Sequence, residues 1–145
     1  MAAPVLVTGG TGTLGRLVVP RLRAAGREVR VLSRRRRELG EGIEVVTGDL
    51  ATGEGIEPAV DGAGTIVHCA GSSKGDEDKA RNLVRAASRA GAAHLVYISV
   101  VGVAERAEHP VGHRPQAGPV LLEAVGQPLV VVHRSHSPAA NCHTR

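Results

Sequence analysis

Short, almost wholly apolar runs alternate along this chain with longer stretches in which apolar residues recur every three or four positions. The first run, Val5 to Thr8, reads as a strand. Leu14, Leu17, Val18, Leu22 and Ala25 then share one face of a helix, which Gly26 ends. Pro20 lies inside that helix, removes one backbone hydrogen bond and predicts a kink. Glu28 to Leu32 is the second strand and Ile43 to Thr47 the third. A short helix is expected over Glu54 to Val60, and a fourth strand over Thr65 to Cys69. The next helix carries the stripe Ala80, Leu83, Val84, Ala87 and Ala90. Asp76 is its expected cap, with Ser73 at capping-box spacing, and Gly91 its end. His94 to Val100 is the fifth strand. Nearly continuous apolar strands separated by helices predict a parallel sheet covered on both faces. Right-handed crossovers make it doubly wound, with ligands at the carboxyl ends of the strands.

The first strand runs into Gly9-Gly-Thr-Gly-Thr-Leu-Gly15, which opens the first helix. Gly9 permits the tight turn. Gly12 has no side chain, so backbone and a diphosphate can approach closely. Gly15 is expected to let the helix pack against the strand. The free N–H groups and the positive end of the helix then face the anion. A strand before the glycines and a helix after them give the pattern its force.

Composition narrows the rest. A chain of 145 residues fits one domain with a real core. It has no Phe, no Trp and one tyrosine, Tyr97, so surfaces that stack bases on aromatic rings are not expected. The net charge of +4 raises nucleic acid as a partner. Arg81, Arg85 and Arg89 form one stripe at helical spacing, but no reader motif accompanies it, and a solvated helix face is the plainer reading. No apolar stretch is long enough to span a membrane. The first strand begins almost at once, so no signal peptide is expected. Cys69 and Cys142 lie far apart and read as reduced thiols in a cytoplasmic protein.

Thr8 to Gly15, Gly48-Asp49-Leu50, His68-Cys-Ala-Gly71 and Tyr97-Ile-Ser-Val-Val-Gly102 together resemble an atypical short-chain dehydrogenase/reductase. The nearest branch is the NmrA-like, NAD(P)H-binding group related to nucleotide-sugar epimerases, and the likeness covers the first two-thirds of the chain. It implies a doubly wound Rossmann-type sheet of strand order 3-2-1-4-5-6 in a single α/β domain over residues 1–134. It also implies that the turn holds the pyrophosphate through Gly9, Thr11, Gly12 and Gly15, with backbone groups of Thr13 and Leu14 in contact. Asp49 and Leu50 would border the adenine, Asp49 accepting from its exocyclic amine. Ala70 and Gly71 would pass beside the ribose next to the nicotinamide. A solvated turn is the alternative reading of Gly48-Asp49.

The end of the second strand selects between cofactors. An acid there accepts the ribose 2′-hydroxyl of NAD and repels a 2′-phosphate, whereas an arginine favours NADP. Here the strand runs into Ser33-Arg34-Arg35-Arg36-Arg37, with no acid before Glu38. Ser33 can donate to a phosphate oxygen, and Arg34 can bind one through two N–H groups, with Arg35 next in line. NADP(H) is therefore the expected cofactor and NAD(H) the second choice. Arg36 and Arg37 read as a solvated loop.

Catalytic residues are harder to place. Active members of the family pair a Tyr with a Lys four residues on, and the Lys lowers the phenol pKa for proton transfer. This chain has only Tyr97, its residue 101 is Val, and its two lysines, Lys74 and Lys79, precede the fifth strand. Ser99 matches the family's serine near the end of that strand. Contact with substrate or nicotinamide and a hydrogen-bonded strand end are both open readings of it.

After Val103 the pattern changes. Pro110, Pro115 and Pro119 oppose a long helix, so residues 103–119 are expected to be irregular. Val120 to Val125 fits a short helix, Gln127 to Arg134 a sixth strand, and residues 135–145 a disordered tail. On the resemblance, the substrate-binding C-terminal part is missing, which suggests truncation or an altered reading frame. His133, His136, Cys142 and His143 match no closed zinc spacing, so no metal site is expected. Cys69 reads as a packing thiol.

Two functions follow from these residues. One is an NADP(H)-dependent oxidoreductase with a small-molecule substrate. The other is a noncatalytic NADP(H)-binding redox sensor that signals to a protein partner, which the missing Tyr-Lys pair favours. A fragment without its own function is a third reading.

Overall fold

The computed structural model describes residues 2–70, 75–100 and 129–134, with residues 99, 100 and 129–134 described as backbone alone. Gly71, Ser73 and the expectations for residues 101–128 and 135–145 lie outside the described residues.

The element order is β1 (Val5–Thr8), α1 (Gly15–Ala24), β2 (Val29–Ser33), β3 (Ile43–Thr47), α2 (Ile56–Val60), β4 (Thr65–His68), α3 (Asp76–Ala90), β5 (His94–Val100) and β6 (Leu129–Arg134). The strands form one sheet in the order β3-β2-β1-β4-β5-β6. Every neighbouring pair is parallel. This is the expected doubly wound order, with its switch point where β1 meets β4.

Alternation along β1 explains the layers. Val5 and Val7 join Val19, Val29 and Val31, with Leu22 of α1 packed against them. Leu6 points the other way, into a larger cluster with Leu32, Ile66, Leu83, Val84 and Leu95 beneath α2 and α3. Leu6, Val7, Val31 and Ile66 are wholly buried. Burying such side chains on both faces drives the three-layer arrangement, at roughly 1.5–3 kcal/mol for each large one.

Several element ends differ from expectation, for local reasons. β2 starts and ends one residue late, since its ladder pairs Val29 with Ile43 and Ser33 with Thr47. Glu28 instead accepts the Val5 N–H at 2.8 Å. α2 starts at Ile56, because Gly55 holds a left-handed φ of 71° that a helix cannot continue. β4 stops at His68, and β6 is described over Leu129–Arg134, Gln127 lying outside the described residues. Asp76 is not the cap of α3. Gly75 occupies that position without a side-chain bond, and Asp76, Glu77 and Asp78 fill the first turn, where carboxylates favour the positive helix end. α1 continues through Pro20 to Ala24.

Candidate functional site

The glycine turn rises from β1 over the end of β4. Gly9 has a φ of 68°, and a Cβ there would come within 2.6 Å of the Ala70 nitrogen. Both conditions demand glycine. Gly10 faces β2, where a Cβ would meet Val31 at 2.7 Å. Gly15 lets the start of the helix close on the turn itself: a side chain on it would overlap the Gly9 carbonyl and Gly10, while further along α1 Val19 and Leu22 meet the strands. Gly12 is unlike the others. Among the described residues its Cβ would find only the Gly9 carbonyl, at 3.3 Å, a close approach without overlap. The described residues leave the space in front of Gly12 unfilled.

The turn is tied internally by Gly12 N–H donating to the Gly9 carbonyl at 3.0 Å and Arg16 N–H to the Gly12 carbonyl at 3.0 Å. α1 has Leu14 at its cap, no side-chain cap bond and no acid in its first turn. Its positive end is thus left for an outside anion, whereas α3 supplies three acids of its own. Gly9, Thr11, Gly12, Thr13, Leu14 and Gly15 all fall in this single turn and helix start. An open cradle at Gly12 before an uncapped helix fits a diphosphate.

Beside it lies the end of β2. Ser33 is buried and its Oγ accepts the Arg35 N–H at 3.4 Å, leaving its own proton free to be donated. Arg34, Arg35, Arg36 and Arg37 are exposed. The Ser33 carbonyl accepts the Gly48 N–H at 2.9 Å, which joins this end to the loop holding Asp49. That loop closes on itself. Asp49 N–H donates to the Glu54 carbonyl at 2.8 Å, and Asp49 Oδ1 accepts the Ala51 N–H at 2.8 Å. One carboxylate oxygen of Asp49 is so engaged, and among the described residues nothing bonds the other. Leu50 turns its side chain into the core beneath α3, leaving its peptide group at the rim. Gly48 and Gly55 pack backbone to backbone, a Cβ on Gly48 meeting the Glu54 carbonyl at 2.7 Å.

Three side chains line up across the strand ends, since Thr8 pairs with His68 and His68 with Tyr97. Thr8 Oγ1 and His68 Nδ1 share a buried 2.7 Å hydrogen bond. The His68 and Tyr97 rings stack at 5.3 Å and 17°. Burial lowers the His68 pKa to about 4, with Asp76 opposing and Lys79 reinforcing the shift. Burial, then Asp76, raises that of Tyr97. A raised phenol pKa is the opposite of what a proton-transferring tyrosine needs. The sequence held a signal for this row that went unread: a polar residue closes each of two neighbouring apolar strands. Cys69 follows His68, donates its N–H to the Thr8 carbonyl at 3.0 Å, and is a half-buried thiol with its pKa pushed up to about 11 by burial. Ser99 lies in β5 opposite His133 of β6. Ala70 sits under Gly9. The Arg81–Arg85–Arg89 stripe is exposed. Arg81 pairs with Glu77 at 2.7 Å and Arg89 with Glu57 at 3.2 Å.

A nucleotide-binding α/β protein is what this fold and this turn define. The NAD(P)H-binding family model matches residues 9–132. The chain belongs to that family, in the short-chain dehydrogenase/reductase-like group that its motifs resemble. It is 36% identical over 104 residues to (4-alkanoyl-5-oxo-2,5-dihydrofuran-3-yl)methyl phosphate reductase of Streptomyces griseus, covering 70% of this chain and 36% of that one. It is also 36% identical over 107 residues to photosystem II assembly factor Ycf39 of Trieres chinensis, covering 66% and 34%. Thus it spans about a third of the length of these relatives. A short-chain dehydrogenase/reductase superfamily protein from Agrobacterium tumefaciens, solved with bound NAD, superposes with a TM-score of 0.71 at 26% identity, covering 88% of this chain and 47% of that one.

Proposed function

We propose that this chain is an NADP(H)-binding module of oxidoreductase type. The observation that carries the choice of cofactor is the end of β2. Buried Ser33 and exposed Arg34 and Arg35 stand there with no acid among them, beside the glycine turn. In this reading the turn holds the diphosphate through Gly12 and the first N–H groups of α1. Arg34 and Arg35 hold the 2′-phosphate, Ser33 donates to it, and Asp49 and the Leu50 peptide border the adenine. Ala70 and Gly71 flank the nicotinamide ribose. The bound dinucleotide would supply hydride-transfer chemistry. The chain's own part is to seat it at the carboxyl end of the sheet, with Ser99, near the end of β5, as the candidate contact for a small-molecule substrate.

A second reading rests on Tyr97. It is the chain's one tyrosine, is stacked in the sheet on His68, and has Val four residues on. That favours binding without turnover, as in a redox sensor acting through a protein partner. Calorimetric titration with NADPH, NADP, NADH and NAD, followed by NADPH consumption with a panel of small carbonyls and quinones, tests both. Tightest binding of the 2′-phosphorylated pair is expected. Turnover supports the oxidoreductase, binding without turnover the sensor, and equal affinity for all four overturns the NADP(H) assignment.

A further inference from the structure

The loop that follows β3 is held from outside by one side chain of α3. Asn82 Nδ2 donates to the Leu50 carbonyl at 2.8 Å and approaches the Ala51 carbonyl at 3.4 Å. Asn82 is half-buried, one helical position before Leu83, which lies in the same core cluster as Leu50. Both carbonyls belong to the turn that Asp49 closes with its own carboxylate. Gly48 fastens the near end of this loop to Ser33. Asn82 fastens its middle to a different layer of the fold. Among the described residues, the Leu50 and Ala51 carbonyls have no side-chain hydrogen bond from outside the loop other than that of Asn82, so its loss loosens the turn that carries Asp49. An amide with two donors suits two neighbouring carbonyls, and no other side chain of similar size offers both.

We propose that Asn82 is a positioning residue for the adenosine half of the dinucleotide: by clamping Leu50 and Ala51 to α3, it sets Asp49 and the Leu50 peptide at the adenine edge. The inference rests on the NADP(H) reading of the site. It adds a specificity determinant that contacts no part of the ligand. The nicotinamide half lies beyond Gly9 and Ala70, away from this clamp, so the effect is confined to one half of the cofactor.

The test is binding of NADPH, of 2′,5′-ADP as the adenosine half alone and of reduced nicotinamide mononucleotide as the other half. Wild type, Asn82→Ala and Asn82→Asp are compared in the full chain, with thermal midpoints recorded. Asn82→Ala is expected to weaken NADPH and 2′,5′-ADP by about tenfold each, the scale of one lost part-buried hydrogen bond, and to leave the mononucleotide unchanged. Asn82→Asp keeps the volume and the helix position, and serves where Asn82→Ala does not fold. Its carboxylate faces the two carbonyls, cannot donate to them, and weakens 2′,5′-ADP at least as much as Asn82→Ala does. A clamp that only steadied the fold would move the midpoint and weaken all three ligands together, and that result overturns the proposal. So does unchanged 2′,5′-ADP affinity in the folded variants. If the wild type itself binds neither NADPH nor 2′,5′-ADP, the cofactor reading fails, and the role of Asn82 with it.

Discussion

His68 ties the stability of this fold to pH. Its ring is 3% exposed, bonded to Thr8 and stacked on Tyr97. The unfolded imidazole takes a proton near pH 6.5, and the buried one only near pH 4. Between those values the unfolded chain holds the extra proton, so stability falls as pH falls. Above about pH 7 both forms are neutral and this contribution is constant. At 1.36 kcal/mol per pH unit, the gap amounts to roughly 3 kcal/mol lost by pH 4. For a domain with about 5–15 kcal/mol in hand, that is a large share. Carboxylates also titrate in this range, so the informative quantity is a difference. His68→Asn keeps a polar atom near Nδ1 for Thr8 and removes the titration. Urea unfolding of both proteins at intervals from pH 8 to pH 4 measures it. The variant starts less stable, having lost the stack. The difference should then shrink by about 1.4 kcal/mol for each pH unit below 6.5. Parallel stability curves for the two proteins would refute a buried, neutral His68.

Arg34→Glu should weaken NADPH binding by tenfold or more, since a charge-assisted bond contributes about 1.5–3 kcal/mol, and should leave NADH unchanged or tighter; titration with both cofactors checks it. Arg30 donates to Glu44 at 2.7 Å, to the Ala59 carbonyl at 3.0 Å and to the Asp61 carbonyl at 2.6 Å, and its side chain is 14% exposed. Arg30→Met should therefore cost about 2 kcal/mol in urea unfolding, by unbinding β2 from the end of α2. Cys69, with its thiol pKa near 11, should react with iodoacetamide at pH 7.5 at least tenfold more slowly than free glutathione, as read by peptide mass spectrometry.

The sheet was legible because its strands are apolar on both faces and punctuated by glycines, which leaves few other arrangements. Val5, Val7 and Leu6 serve two cores at once, and a run with no polar break says so in advance. The element ends were less legible, because they depend on backbone pairing. Ser33 joins β2 by facing Thr47, and Gly55 delays α2 through a left-handed turn. In the glycine turn the motif did not show that Gly15 meets Gly9 and Gly10 across the turn, since that approach depends on the folded backbone. Asn82 was invisible for a different reason. Its partners, the carbonyls of Leu50 and Ala51, are more than thirty residues away and carry no side-chain signal. The Thr8–His68 bond did have a signal, a polar residue closing each apolar strand, but the pairing itself exists only because parallel register places those two strand ends together.

Gly12 offers the sharpest test of the diphosphate cradle. Among the described residues its Cβ would meet nothing closer than the Gly9 carbonyl at 3.3 Å, so Gly12→Ala should unfold within about 1 kcal/mol of wild type. The added methyl would stand where the pyrophosphate must approach. Titration of NADPH into this variant should show affinity reduced by tenfold or more with the fold intact. Wild-type affinity in the folded Gly12→Ala protein would mean that the dinucleotide, if it binds at all, does not bind at this turn.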